Sequence, residues 1–152
     1  MTQQSNLPSG RPLTQWQPRP SAVVLAGGSA VVLGSLMPFI SVSGIGLGVT
    51  PAAKAASVVF GLIVIALAIT MRHAAQESAR RIASAAALCL CGLGALGYAA
   101  FIAMGIIGWP VQDSLGNSYT VTFSPDMGIL LAVAGCAAGS YAATRALKQR
   151  AA

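Results

Sequence analysis

Acidic side chains are nearly missing from this sequence: three Asp and Glu among 152 residues, against nine Lys and Arg and a single His. Charged residues of all kinds make up 8%, where soluble domains carry about 25%. A water-soluble globule of this length could not cover its surface with so few. The shortage is sharper than the total suggests, because the charges fall almost entirely between apolar blocks.

Four such blocks run at about residues 21–40, 53–71, 82–109 and 127–147, and their interiors hold no Asp, Glu, Lys, Arg or His. That absence argues against devices built on intramembrane charge: voltage sensors, proton relays, and exporters of the small multidrug resistance type, which use an acidic residue in the first span. Cysteine is sparse too. Cys89, Cys91 and Cys136 contain no Cys-x-x-Cys pair, and Cys89 and Cys91 would point about 200° apart on a helix, so they read as small buried hydrophobes. His73 has no second imidazole or paired carboxylate near it in sequence, so no metal centre is expected. Nothing resembles a phosphate-binding loop or a nucleophile–base pair. The expectation is a protein without enzymatic activity and without a cofactor.

What the chain has is length of apolar run, with a mean hydropathy of +0.73. A bilayer core of about 30 Å needs about 20 helical residues at about 1.5 Å each. The first, second and fourth blocks fit; the third is longer and must tilt or project past the membrane. Backbone amides in lipid need internal partners, so the blocks must be helices, and the lack of apolar–polar alternation argues against a strand barrel.

The net charge of +6 does not point to nucleic acid, because of where it lies. Arg11, Arg19, Arg72, Arg80, Arg81, Arg145, Lys148 and Arg150 sit in the N-terminal tail, the second loop and the C-terminal tail, with Glu77. Lys54, Asp113 and Asp126 sit in the other two loops. One side therefore carries +7 and the other −1, a positive-inside distribution that predicts both termini in the cytoplasm. Arg72, Arg80, Arg81, Arg145, Lys148 and Arg150 are the expected topology determinants. A secondary reading gives the same basic face an attraction for anionic lipid headgroups. The first block is also long for a signal-peptide core and follows a Pro-rich tail, although residues 41–43 form a small-x-small site compatible with cleavage.

The sequence thus predicts an all-α membrane protein: an antiparallel bundle of four transmembrane helices, N-in and C-in. Residues 1–20 are a disordered cytoplasmic tail rich in Gln, Pro and Ser, residues 21–147 the bundle, and residues 148–152 a basic cytoplasmic tail. Trp16 belongs at the headgroup level or in a docking motif for a cytoplasmic partner. Met37-Pro38-Phe39 ends the first helix, Thr50-Pro51 opens the second, Trp109-Pro110 closes the third and Ser124-Pro125 opens the fourth, a repeated punctuation that suggests tandem duplication of a hairpin. Residues 72–81 form the short polar inner loop. The outer loops have strand character: YTVTF at 119–123 follows a turn at 115–118 and pairs with 111–114, and 40–49 adds a strand weakened by Gly44, Gly46 and Gly48. Together they predict a small extracytoplasmic β-element.

Small residues recur at helix-packing intervals. Gly135 and Gly139 form a Gly-x-x-x-Gly; Gly128, Ala132, Cys136, Ser140 and Thr144 form an adjoining row. The first block offers Ala26, Ala30 and Gly34, the third Cys91, Ala95, Ala99 and Ala103. Such rows let helix backbones approach closely where lipid removes the hydrophobic drive. Ala30, Gly34, Ala95, Ala99, Gly135 and Gly139 are the packing candidates, within the bundle or against a homo-oligomeric or heterologous membrane partner. Tyr98, inside the third block, needs a hydrogen-bond partner there.

The runs GSLMPFISVSG at 34–44 and VTFSPDMG at 121–128 resemble a pattern in small uncharacterised four-span membrane proteins of actinobacteria and their phages. The resemblance implies a bacterial cytoplasmic membrane and, through phage-encoded members, a role in excluding competing phages; it carries no site residue. Three readings of function stay open: an interaction protein acting as accessory subunit or anchor, a pore-forming holin, and a small carrier or lipid-binding protein. The holin needs a polar helix face, and the carrier needs a polar cavity.

Overall fold

The computed structural model describes residues 18–42, 45–47, 51–112, 116 and 118–151. Trp16, Arg11 and the helix-opening Thr50 lie outside them. Four helices account for most of the described chain: α1 (Pro20–Leu36), α2 (Pro51–His73), α3 (Glu77–Ile107) and α4 (Met127–Ala151). The last three are long and apolar enough to cross a membrane; α1, at 17 residues, is a shorter apolar helix.

The helix boundaries follow local chemistry, in places other than the sequence suggests. α1 stops at Leu36, four residues before the end of its apolar block. The residue before a proline is pushed out of the helical region, and Met37, ahead of Pro38, is extended at φ −88°, ψ 166°. Pro51 is the first helical residue of α2, where its missing N–H costs nothing. α3 begins at Glu77 and absorbs most of the expected inner loop, which shrinks to Ala74, Ala75 and Gln76. Glu77 in its first turn favours the helix dipole. Arg80 then reaches back across the turn, its Nε donating to the Ala74 carbonyl at 2.6 Å.

Two punctuation marks need correction. α3 ends at Gly108, with φ +99°, and not at Trp109-Pro110, which already belong to a strand. Only glycine takes that backbone at no steric cost. Ser124-Pro125 does not open α4; it is itself a strand, and Asp126 caps the helix, its Oδ1 accepting from Met127 N at 2.7 Å while its carbonyl accepts from Ile129 and Leu130. The two hairpins therefore differ in their punctuation, and the tandem-duplication signal dissolves.

Both inter-helix segments at one end of the bundle form strands: β1 (Ile40–Val42), β2 (Ile45–Leu47), β3 (Trp109–Gln112), β4 (Ser118–Val121) and β5 (Ser124–Pro125). β3 and β4 pair antiparallel, Trp109 opposite Val121 and Gln112 opposite Ser118. β1 pairs with β2 and, on its other edge, with β5, Ser41 opposite Ser124. Further main-chain bonds lock this end: Asp126 N donates to the Phe39 carbonyl at 3.0 Å and Gly128 N to the Pro38 carbonyl at 3.2 Å.

Side chains fix the helix seams. Gly27 lies against Gly135 and Gly34 against Gly128, so α1 and α4 run in opposite directions. Gly28 and Gly61 oppose each other between α1 and α2. The α1–α4 seam is the most extensive and the α2–α3 seam the loosest. The core is correspondingly small-grained: Val24, Val64, Ala68, Met71, Ala83, Ala87, Cys91, Ala142, Ala143 and Ala146 form one buried cluster, and Val31, Ala132 and Cys136 another.

Candidate functional site

Hydroxyl groups within the helices are satisfied locally. Ser29, Ser35, Thr70, Ser84, Ser140 and Thr144 each donate to the carbonyl four residues back, at 2.7–3.0 Å. This is the cheapest way to satisfy a hydroxyl without water. Tyr98 behaves differently: its hydroxyl crosses from α3 to α2 and donates to Ser57 Oγ at 3.0 Å. That bond answers the need the sequence assigned to Tyr98.

Tyr98 also marks the larger concavity. A cleft of about 460 Å³ opens between α2 and α3 in the half of the bundle nearer the strands. Small residues line it, Ala53 and Ala56 on α2 and Gly94 and Gly97 on α3, together with Phe60 and Phe101, and the buried Ile129 of α4 lies at its base. Phe39 closes the deep side, edge-on to Tyr98 with ring centroids 6.3 Å apart. The volume lies in the range of small-molecule sites, but apart from the Ser57–Tyr98 pair the lining is apolar. A polar cavity of the kind a carrier needs is not what this cleft offers. Around it the outward faces of α2 and α3 carry Val59, Leu62, Ile63, Leu93 and Leu96, each close to half exposed or more.

A second, smaller cleft of about 240 Å³ lies at the opposite end, where α1 begins and α2 and α4 finish. Arg19, Ser21, Arg72 and Gln149 line it above Met71 and Ala146. Of the expected topology determinants, Arg72 is therefore in a cleft with Arg19, while Arg81 makes an exposed ion pair with Glu77 at 3.7 Å, Arg80 caps the turn, and Arg145 lies 6.0 Å from the centroid of the Tyr141 ring. Lys148 is exposed; the side chain of Arg150 lies outside the described residues.

The packing candidates divide. A side-chain carbon on Gly34 would meet the Gly128 carbonyl oxygen at 2.5 Å, and one on Gly135 would meet the Gly27 oxygen at 2.5 Å and the Ala30 Cβ at 3.0 Å. Gly139 faces Cys91 Sγ, and Ala95 packs on the cluster around Cys136. Ala99 and Ala103 are exposed, so the outer end of the α3 row points away from the bundle; Ala26 is exposed as well. The seam glycines Gly27, Gly28 and Gly61 escaped the sequence reading, because a four-residue row through Ala26 is equally regular and the sequence does not reveal which partner each face meets. Cys89 is exposed while Cys91 and Cys136 are buried, as their angular separation requires. Among the described residues no group of three or more His, Cys, Asp or Glu is placed to hold a metal ion. No protein-family model, no curated protein and no solved structure matches this chain.

Proposed function

We propose that this chain crosses a bacterial cytoplasmic membrane four times as an antiparallel bundle with both termini in the cytoplasm, and acts there as a non-enzymatic interaction subunit that docks a transmembrane helix of another membrane protein against α2 and α3. The observation that carries the docking is the cleft between those helices: apart from the Ser57–Tyr98 pair it is apolar, it is lined by Ala53, Ala56, Gly94 and Gly97, and it is set in the loosest seam. Small lining residues admit a helix backbone closely, and aromatic rings beside them supply dispersion contact.

The membrane reading rests on the outward-facing aliphatic side chains, the self-satisfied hydroxyls and the one-sided basic charge. α1, about 25 Å long at 1.5 Å per residue, falls short of a core of about 30 Å. The extended stretch through Phe39 makes up the difference, its carbonyls at Pro38 and Phe39 occupied by α4 and Asp126 amides. Non-helical backbone at such depth is tolerated where protein satisfies it. α3, near 46 Å by the same rise, overshoots at the end bearing Glu77, Arg80 and Arg81, which places those charges in water. A holin pore gains no support here, since six of the helix hydroxyls bond to their own helices and Tyr98 bonds to Ser57.

The test is photocrosslinking in cells from a benzophenone amino acid at Gly97, where an added side chain meets nothing within 4 Å. A discrete adduct with one membrane protein is expected from Gly97 and none from Ile82, on the same helix outside the cleft. Adducts with lipid alone would remove the docking role; adducts with a second copy would replace the partner by self-association.

A further inference from the structure

The cleft at the turn end collects positive charge without any acidic lining. Arg19 precedes α1, Arg72 stands in the last turn of α2, and Gln149 stands near the end of α4. No ion pair or hydrogen bond engages the side chain of Arg19 or Arg72 among the described residues, and the one acidic side chain at this end among them, Glu77, is held by Arg81. Two arginines, one preceding α1 and one in the last turn of α2, line one concavity of about 240 Å³. The positive end of the α1 dipole is opposed by the negative C-terminal ends of α2 and α4, so the positive charge of the cleft comes from the two arginines. Beneath them the floor is apolar and closed: Met71 and Ala146 are both about 5% exposed. A planar fork of donors suits phosphate oxygens, and Gln149 adds a neutral donor.

We propose that this cleft binds a phosphate-bearing anion between the start of α1 and the ends of α2 and α4. The phosphate could belong to an anionic phospholipid headgroup, with its glycerol seated on Met71 and Ala146, or to a soluble phosphoester. The lipid source rests on the membrane reading above, in which this end meets the cytoplasmic headgroup layer; the phosphate chemistry does not. Binding there ties three helix ends together through one ligand.

The test uses the full chain purified in a neutral detergent, followed by native mass spectrometry with three probes: phosphatidylglycerol, phosphatidylcholine and inorganic phosphate. Preferential retention of phosphatidylglycerol over phosphatidylcholine identifies a lipid headgroup; retention of inorganic phosphate at comparable concentration identifies a soluble source. In either case Arg19→Gln and Arg72→Gln each weaken binding by about fivefold. The charge-matched control Arg81→Gln and Lys148→Gln leaves it unchanged. Equal losses in the control and the cleft variants would mean diffuse attraction and overturn the site, as would failure of all three probes to distinguish wild type from the cleft variants. Recovery of the wild-type chain in the soluble fraction without detergent would instead sink the membrane reading while leaving the inorganic phosphate arm intact.

Discussion

Substituting Gly135 by alanine tests whether the α1–α4 seam is a backbone-to-backbone contact. The added carbon would sit 2.5 Å from the Gly27 carbonyl oxygen and 3.0 Å from Ala30 Cβ, while ordinary contact begins near 3.4 Å. Neither obstacle is a flexible side-chain end, so the helices must part by about 0.9 Å. A radial gap of this size forfeits a quarter to a half of the dispersion well at each atom pair along the seam. The seam is the most extensive in the bundle, so the loss is spread over many atom pairs. Overpacking of this kind costs about 1–3 kcal/mol. Gly27→Ala meets the reciprocal obstacle, the Gly135 oxygen at 2.5 Å, and should cost the same. The double variant should cost less than the sum, because the first separation relieves the second clash. Gly92→Ala is the internal control: nothing lies within 4 Å of the new carbon, and alanine favours the helix by up to about 1 kcal/mol. Reversible unfolding in mixed micelles, titrated with sodium dodecyl sulfate, reads all four. If Gly135→Ala and Gly92→Ala unfold at the same detergent fraction, the helices are not packed at this distance and the reasoning fails.

Other perturbations probe other joints. Tyr98→Phe and Ser57→Ala remove the one hydroxyl pair that spans α2 and α3, and a double-mutant cycle should return a coupling of about 0.6 kcal/mol; zero coupling would mean the bond is not formed. Gly105 lies directly under the Phe123 ring, which also packs on Phe101 at a tilt, centroids 5.4 Å apart, so Gly105→Val should expel the ring and raise protease sensitivity around 118–125 without dispersing the helices. Arg80→Leu removes the donor to the Ala74 carbonyl, and hydrogen exchange at 74–76 should accelerate; Arg81→Leu, whose pair with Glu77 is solvent-exposed, should leave those amides unchanged.

The helices were legible because hydropathy over a long window averages away local detail, and three of the four blocks match their helices to within a few residues at either end. The ends themselves were harder. Pro38 acted one residue ahead of itself, on Met37; Gly108, flanked by the more conspicuous Trp109-Pro110, supplied the stop; and Asp126 took the cap that Ser124 appeared to offer. In each case several residues met the local rule and tertiary pairing decided between them: Ser124-Pro125 became a strand because the edge of β1 was there to receive it. Strand character in the outer segments was readable from β-branched and aromatic content, but the partner choice was not, since β1 finds β5 across two intervening helices. The clefts were the least legible. Ala53, Ala56, Gly94 and Gly97 are ordinary apolar-helix residues, and Arg19 and Arg72 look like any topology-setting cations until folding brings both to the lining of one cleft.

The pairing of Ser41 with Ser124 has a consequence for biogenesis. A ribosome releases β1 and α1 long before β5 and α4 exist, so the first helix made waits longest for the neighbour with which it shares its most extensive seam. During that interval the glycines of α1 that will meet α4 are uncovered, and the Pro38 and Phe39 carbonyls have no amide to accept from. A truncated product lacking the last helix would therefore display an unfinished first one, a defect that membrane proteases and insertion chaperones can read.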